Sequence, residues 1–210
     1  WSRIGAMAIN EGFLPSVLVA RALGSNAFGF GSTLAVRREH LAQIGGFDSL
    51  AEHLADDYRL GELTRRRGLR TVLSPYLVET RVHEPDAAAL LHHELRWART
   101  IRTVRPWGHL FSVVTYALPM SLFAVALADG APWALALPFL ALGERIMLHY
   151  AVNAGLRLGE PRNLWLVPFR DLLSFAVWAA SFLGRRVRWR QGDFSVASDG
   201  RMRANKESVP

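Results

Sequence analysis

The sequence predicts an α/β globular part followed by an α-helical membrane part. In residues 1–105, stretches with helical spacing of apolar residues alternate with short runs bounded by Gly and Pro. Residues 110–152 and 164–184 are instead largely apolar. We therefore predict a globular domain over 1–105, a membrane region over 106–184 and a basic cytosolic tail over 185–210.

The formal net charge of +7 comes almost entirely from arginine, because Lys206 is the only lysine. Many of the arginines flank apolar segments, where the positive-inside bias and anionic lipid account for them better than nucleic acid does. No nucleic-acid partner is therefore expected. The absence of cysteine excludes disulfides and thiolate chemistry, and it is compatible with a reducing compartment.

The first elements are predicted to be a helix, a strand and a second helix. Residues 2–23 have a weakly amphipathic pattern that Pro15 interrupts, which predicts a kink or two short helices. Residues 28–36 predict a strand, in which Gly29 and Gly31 allow something to approach the backbone closely. A short helix over 37–44 is expected to end at Gly45 and Gly46.

An acid pair, Asp56 and Asp57, precedes a helix predicted over 57–67. Acidic residues are ordinary caps at a helix N-terminus, so capping alone would account for either residue taken singly. Since only one can be the cap, the other is free to point into a cleft. Two short strands are predicted after this helix, over 69–73 and 77–82.

A helix predicted over 87–104 carries a second polar group of side chains. Asp86 is placed to cap this helix. His93, Arg96 and Trp97 are spaced at i, i+3 and i+4, so they share one face. A guanidinium, an imidazole and an indole on one face can bind a diphosphate and stack on a ring. An Arg-Trp pair alone is more often surface packing, so its position relative to the acid pair decides the interpretation.

Four motifs together resemble the inverting, membrane-bound glycosyltransferases with a GT-A fold. They are GSTLAVRR at 31–38, GGFD at 45–48, LADDY at 54–58 and HELRW at 93–97. The sequence is most similar to the ceramide-glucosyltransferase-like branch of families 21 and 2, and within it to the hopanoid-biosynthesis-associated enzymes. The resemblance extends to residues 187–190. It implies that residues 1–105 are the C-terminal half of a GT-A domain, because the upstream Asp-x-Asp motif does not occur here.

The resemblance also implies roles for individual residues. Asp57 matches the general base, and the catalytic assignment rests on it alone. His93, Arg96 and Trp97 match the family's substrate-binding motif, although His93 replaces the usual Gln or Arg. Asp56 is expected to orient the site or to contact substrate. The implied partners are a UDP-sugar and a lipid acceptor, and a divalent cation, Mg or Mn, is expected to be held mainly by an upstream half.

Two membrane spans are predicted over 110–128 and 131–152, and residues 164–184 are either a third span or an interfacial helix. Arg170 and Asp171 divide this last segment, while the arginines that follow it are expected in the cytosol. The predicted location is the bacterial inner membrane, with the catalytic part facing the cytosol.

The predicted function is transfer of glucose or N-acetylglucosamine from a UDP-sugar to a lipid hydroxyl, such as that of a hopanoid or a ceramide. A polysaccharide synthase of the same fold is a second possibility, but such enzymes usually have more spans. A non-catalytic membrane scaffold is a third, and it would leave the acid pair and the Arg-Trp helix without a role.

Overall fold

A computed structural model describes residues 1–25, 29–31, 33–158, 163–184, 186–189, 192–196 and 201–204. Within these ranges the chain is predominantly helical. The first helical segments are α1 (Ser2–Met7), a π-helical segment (Ala8–Phe13) and α2 (Leu14–Ala22). Pro15 lies in the first turn of α2. Phe13 and Leu14 keep helical φ and ψ, so next to the predicted position the chain changes from π- to α-helix without a break.

Three short helices follow. They are α3 (Arg38–Gln43), α4 (Asp48–Ala51) and α5 (Asp56–Arg66). The predicted stop after α3 is confirmed, because Gly45 and Gly46 have φ values of 96° and 70° that favour glycine.

The rest of the chain is built on longer helices. These are α6 (Ala87–Val104), α7 (Pro106–Phe111), a 3₁₀ segment (Ser112–Thr115), α8 (Ala117–Leu127), α9 (Ala136–Leu156) and α10 (Leu166–Ser181). Asp86 caps α6 as predicted, because its Oδ1 accepts the N–H of Ala89 at 2.8 Å.

The predicted fold class, an α/β GT-A domain, is wrong for the described chain. The predicted strands over 69–73 and 77–82 form no ladder with another strand. The same holds for residues 29–31 and 33–36 of the strand predicted over 28–36, whose Phe28 and Ser32 lie outside the described residues. A run with strand composition becomes a strand only where a second run supplies hydrogen-bond partners. These segments find none in the described part, and Val72, Tyr76 and Leu77 are exposed.

The described sheet is a small antiparallel one at the C-terminal end. Its strands are β1 (Arg186–Trp189), β2 (Gly192–Val196) and β3 (Met202–Ala204), in the order β1-β2-β3. Arg186 is paired with Ser195, and Val196 with Met202. The alternating pattern of residues 187–196 predicts a small hairpin, and the pairing of the first two strands confirms it. The third strand was not predicted.

The main apolar core lies where α1, α6 and α10 meet. Leu90 of α6 and Val167 of α10 are each 1% exposed, and Ile4, Met7 and Leu166 complete the cluster. Helix α10 also packs against α8 and α9. The core therefore joins the helix that carries the Arg-Trp motif to the apolar C-terminal helices.

Buried charges link the same helices. Arg170 of α10 binds Glu94 of α6 through both terminal nitrogens, at 2.6 and 2.8 Å. The neighbouring Asp171 lies 3.1 Å from the Nε of Arg145 in α9, and its other oxygen accepts the N–H of Leu118 in α8. The charged residues that divide the apolar segment 164–184 thus pair with other helices.

Among the described residues, no single helix combines the length and apolar character that a membrane crossing requires. One pair of consecutive helical segments, 106–115 and 117–127, has the required length and apolar character when taken together, but the second segment is bent by 70° relative to the first. The predicted span over 110–128 is therefore bent near its start. Helix α9 covers most of the second predicted span, and α10 covers most of 164–184.

Candidate functional site

The acid pair occupies the first turn of α5, as predicted. The residue preceding the helix, Ala55, is the N-cap, so neither acid is the cap that we expected. Each carboxylate instead accepts the backbone N–H of the next residue, Asp56 from Asp57 at 2.9 Å and Asp57 from Tyr58 at 2.7 Å. Asp56 is exposed, whereas Asp57 is half-buried. Asp57 is therefore the member of the pair that faces into the protein.

Gly29 and Gly31 run alongside Asp57. A Cβ atom added to Gly29 would lie 2.4 Å from the carbonyl oxygen of Asp57, and one added to Gly31 would lie 3.0 Å from its Oδ2. No side chain fits at Gly29 unless the backbone moves. The close approach predicted for these glycines exists, and the group that approaches is Asp57.

The environment of Asp57 alters its proton affinity. Burial raises the pKa of its carboxyl above the ordinary value of 3.8. Repulsion from the Asp56 carboxylate adds to this rise of the pKa, while hydrogen bonds from the N–H groups of Tyr58 and Gly31 oppose it. A carboxylate with a raised pKa that is held by two backbone donors is a better proton acceptor than an exposed aspartate.

His93 and Trp97 share a face of α6, as the spacing predicted. Their rings meet edge to face, with centroids 4.7 Å apart. The Nδ1 of His93 lies 2.6 Å from the Oε1 of Glu84, whose side chain is only 7% exposed. The imidazole is thus fixed from behind by a buried carboxylate.

Arg96 lies between these two residues in the sequence and is half-buried. Burial lowers the pKa of its guanidinium below the ordinary value for arginine, and the group still carries its charge at neutral pH. Its side chain makes no hydrogen bond or ion pair within the described part of the chain. A half-buried guanidinium without a counter-ion is suited to an anionic ligand.

One contact joins the helices that carry the two groups of predicted site residues. Arg105, which follows α6, donates from Nε to the hydroxyl of Tyr58 at 2.9 Å and lies over its ring. Since a helix rises about 1.5 Å per residue, Arg96 lies roughly 14 Å from Arg105 along the helix. Within the described ranges, no hydrogen bond, ion pair or ring contact joins either acid to the side chains of His93, Arg96 or Trp97.

The described residues place no three His, Cys, Asp or Glu side chains where they could share a metal ion. The carboxylates of Asp56 and Asp57 each accept a backbone N–H, and within the described chain no third carboxylate or imidazole joins them to complete a set of metal ligands. These residues do not fit the expected Mg or Mn ion, and none of them is assigned as its ligand.

Sequence reasoning missed Glu84, which the structure places behind His93. The sequence predicts a loop at this position, and it offers no periodic signal for a contact nine positions away across a turn. The Pro85 and Asp86 that follow it do fix where α6 begins, so the residue just before them is held close to the first turns of the helix. Arg105 was also missed, because its partner Tyr58 is distant in sequence.

The comparison with protein families gives one match. The family model described as Glycosyl transferase family 21 matches residues 1–202. Neither the curated proteins nor the solved structures contain a match to the chain.

Proposed function

Because the chain belongs to glycosyl transferase family 21, we propose that it transfers a sugar, glucose or N-acetylglucosamine, from a UDP-sugar to a lipid hydroxyl with inversion. The acceptor would be a membrane lipid alcohol such as a hopanoid or a ceramide. The observation that carries this proposal is the half-buried Asp57 carboxylate with its raised pKa.

In this mechanism Asp57 accepts the proton of the acceptor hydroxyl as its oxygen attacks the anomeric carbon. The bond to the diphosphate breaks on the opposite side, and UDP leaves with the electron pair. General-base assistance of this kind typically contributes a factor of about 10² to 10⁴. Asp56 would hold the first turn of α5 in place through the Asp57 N–H and contact substrate from the exposed side.

Arg96 would bind the departing diphosphate, because it offers a charged fork that no carboxylate of the described chain occupies. Trp97 is 38% exposed and would stack on the acceptor or close the floor of the site. A divalent cation, when bound, would supply further charge to the diphosphate.

We also propose that the protein lies at the bacterial inner membrane with α5 and α6 on the cytosolic side. Support comes from the apolar side chains that α7, α8 and α9 and the 3₁₀ segment expose. They include Trp107, Phe111, Val114, Leu127, Phe139 and Leu140, each at least 65% exposed. Apolar patches of this kind are typical of surfaces that contact lipid. The arginine-rich composition of 185–190 suits anionic headgroups.

The test is transfer of labelled sugar from a panel of UDP-sugars into extractable lipid, using membranes that contain the full-length enzyme. We expect label in a discrete lipid, and a loss of about 100-fold or more in Asp57→Asn. The matched control is Asp129→Asn, which removes an exposed carboxylate from the turn after α8.

Each remaining outcome contradicts part of the proposal. A polymeric product would support the polysaccharide synthase. No label from any donor, with folded protein, would support the non-catalytic scaffold. An Asp57→Asn enzyme that is as active as the control would refute Asp57 as the base.

A further inference from the structure

The contact between Glu84 and His93 is short, buried on one side and open on the other. The Oε1 of Glu84 lies 2.6 Å from Nδ1, and the side chains of Glu84 and His93 are 7% and 36% exposed. Nε2 of His93 has no hydrogen-bond partner within the described ranges. The ring therefore presents one nitrogen to the buried carboxylate and the other to the open face of α6.

Glu84 is itself held in place through its backbone. Its N–H donates to the Oγ of Ser2 at 2.8 Å, and the same hydroxyl donates to its carbonyl oxygen at 3.2 Å. A Cβ atom at Gly5 would lie 3.5 Å from the Cγ of Glu84, so the first turn of α1 also limits its side chain. Contacts with α1 thus hold the backbone and the start of the Glu84 side chain in place, and these contacts do not depend on a ligand.

The carboxylate determines which nitrogen of His93 is available. A carboxylate can only accept hydrogen bonds, so Nδ1 carries a proton and donates a hydrogen bond to Glu84. Trp97 packs against the edge of the ring and restricts its rotation. Nε2 is therefore the nitrogen left for a ligand, and it lies on the helix face that also carries Arg96.

Building on the function proposed above, we propose that Glu84 is a positioning residue that orients His93 so that Nε2–H donates a hydrogen bond to the departing diphosphate. In the complex the ring lies between two anions, the Glu84 carboxylate and the diphosphate. Both anions accept, so the imidazole holds a proton on each nitrogen. The imidazolium then adds charge next to Arg96 where negative charge develops. His93 in this way serves as the hydrogen-bond donor at the position where the motif usually has the amide of Gln or the guanidinium of Arg.

A double-mutant cycle in the full-length enzyme tests this proposal. We expect Glu84→Ala to lower kcat about tenfold or more while the KM for the acceptor stays within about threefold, because orienting partners behind a ligand commonly have effects of 10- to 100-fold. In the His93→Gln background, the side-chain amide donates without needing Glu84. The same Glu84→Ala change should then alter kcat by less than about threefold.

Two further variants separate orientation from folding. Glu84→Gln keeps an oxygen that accepts from Nδ1, so it should recover more than half of the logarithmic loss in kcat. The matched control is Glu11→Ala, since Glu11 in the π-helical segment binds Nδ1 of His149 at 2.7 Å with both side chains 4% exposed. Its effect on kcat should be the same in the wild-type and His93→Gln backgrounds.

Equal losses from Glu84→Ala in both backgrounds would overturn the proposal and leave Glu84 as a structural residue. An unchanged kcat in the wild-type background would overturn it as well. A wild-type enzyme that transfers no sugar to any lipid is a different result, because it refutes the proposed function itself.

Discussion

Ionising the carboxyl of Asp57 costs more in the folded protein than in water. Burial and the nearby Asp56 carboxylate both disfavour its charge, so the folded-state pKa lies above 3.8. A raised pKa in an acid means that the protonated form stabilises the folded state below about pH 3.8, and this contribution is lost as pH rises through the folded-state value. At neutral pH, the charge on the Asp57 carboxylate therefore lowers the stability of the folded protein.

This cost predicts opposite effects of Asp57→Asn on stability and on activity. At pH 7 the variant should unfold at a higher temperature than the wild type, because a neutral amide replaces a partly buried charge. The difference should shrink as pH falls from 7 through the raised folded-state pKa, because the wild-type carboxyl then also becomes neutral. Thermal unfolding followed by circular dichroism across this range measures it. A variant that is less stable at pH 7 would indicate that Asp57 supports the fold.

Single residues also show what can be derived from sequence. Gly29 and Gly31 were predicted to be points of close approach because glycine weakens a strand unless something must come near its backbone. Asp57 could not be predicted as the approaching group, since more than two dozen residues separate it from them. The partners of Glu94, Arg170 and Asp171 were equally inaccessible, because ion pairs between helices leave no periodic signal.

At the scale of elements, the buried pair of Arg170 and Glu94 holds α10 against α6. The side chains are 3% and 11% exposed, and two hydrogen bonds join them. Arg170 also donates to the Oγ of Ser174 at 3.0 Å. A charge that loses its partner in such a place is far more costly than one at the surface.

Replacing Arg170 with Met should therefore lower the free energy of unfolding by about 3 to 5 kcal/mol, because Glu94 would remain buried and unpaired. Denaturant titration of the purified protein in detergent measures this change. The matched control is Arg66→Met, because Arg66 is 59% exposed and binds Glu62 one turn away. That variant should lose less than about 1 kcal/mol. Equal losses in both variants would show that burial of the pair is not what stabilises the contact.

Helices were easier to predict than strands. The limits of α5 and α6 follow from local signals, such as Asp86 as a cap and the arginines at the end of α5. Strands depend on partners elsewhere in the chain, and the runs over 69–73 and 77–82 have none in the described part. The hairpin of β1 and β2 could be predicted because both of its strands are local.

At the scale of the whole molecule, α7, α8 and α9 expose a large amount of apolar surface, and further exposed apolar side chains such as Phe47 and Tyr76 lie outside these helices. Leu127 at the end of α8 is 84% exposed, and Trp133 in the following turn is 68% exposed. Charged and partly polar side chains are instead found on α5 and around the acid pair.

We expect Leu127→Asp to weaken binding of the protein to vesicles that contain anionic lipid by about tenfold or more, because an acid is costly to place among acyl chains. Flotation of the purified chain with such vesicles measures this. Leu23→Asp is the matched control, because Leu23 is 82% exposed but follows α2. Equal losses in the two variants would mean that general charge repulsion produces the effect.

A residue of another helix contacts α8 beside the bend between 106–115 and α8. Asp171 of α10 accepts the N–H of Leu118, in the first turn of α8, where no α8 residue can accept it. During synthesis the apolar segment leaves the ribosome before α10 exists. The hydrogen bond from Leu118 to Asp171 can therefore form only after α10 has been made. One contact beside the bend is thus added late in biogenesis, by a residue far from this segment in sequence.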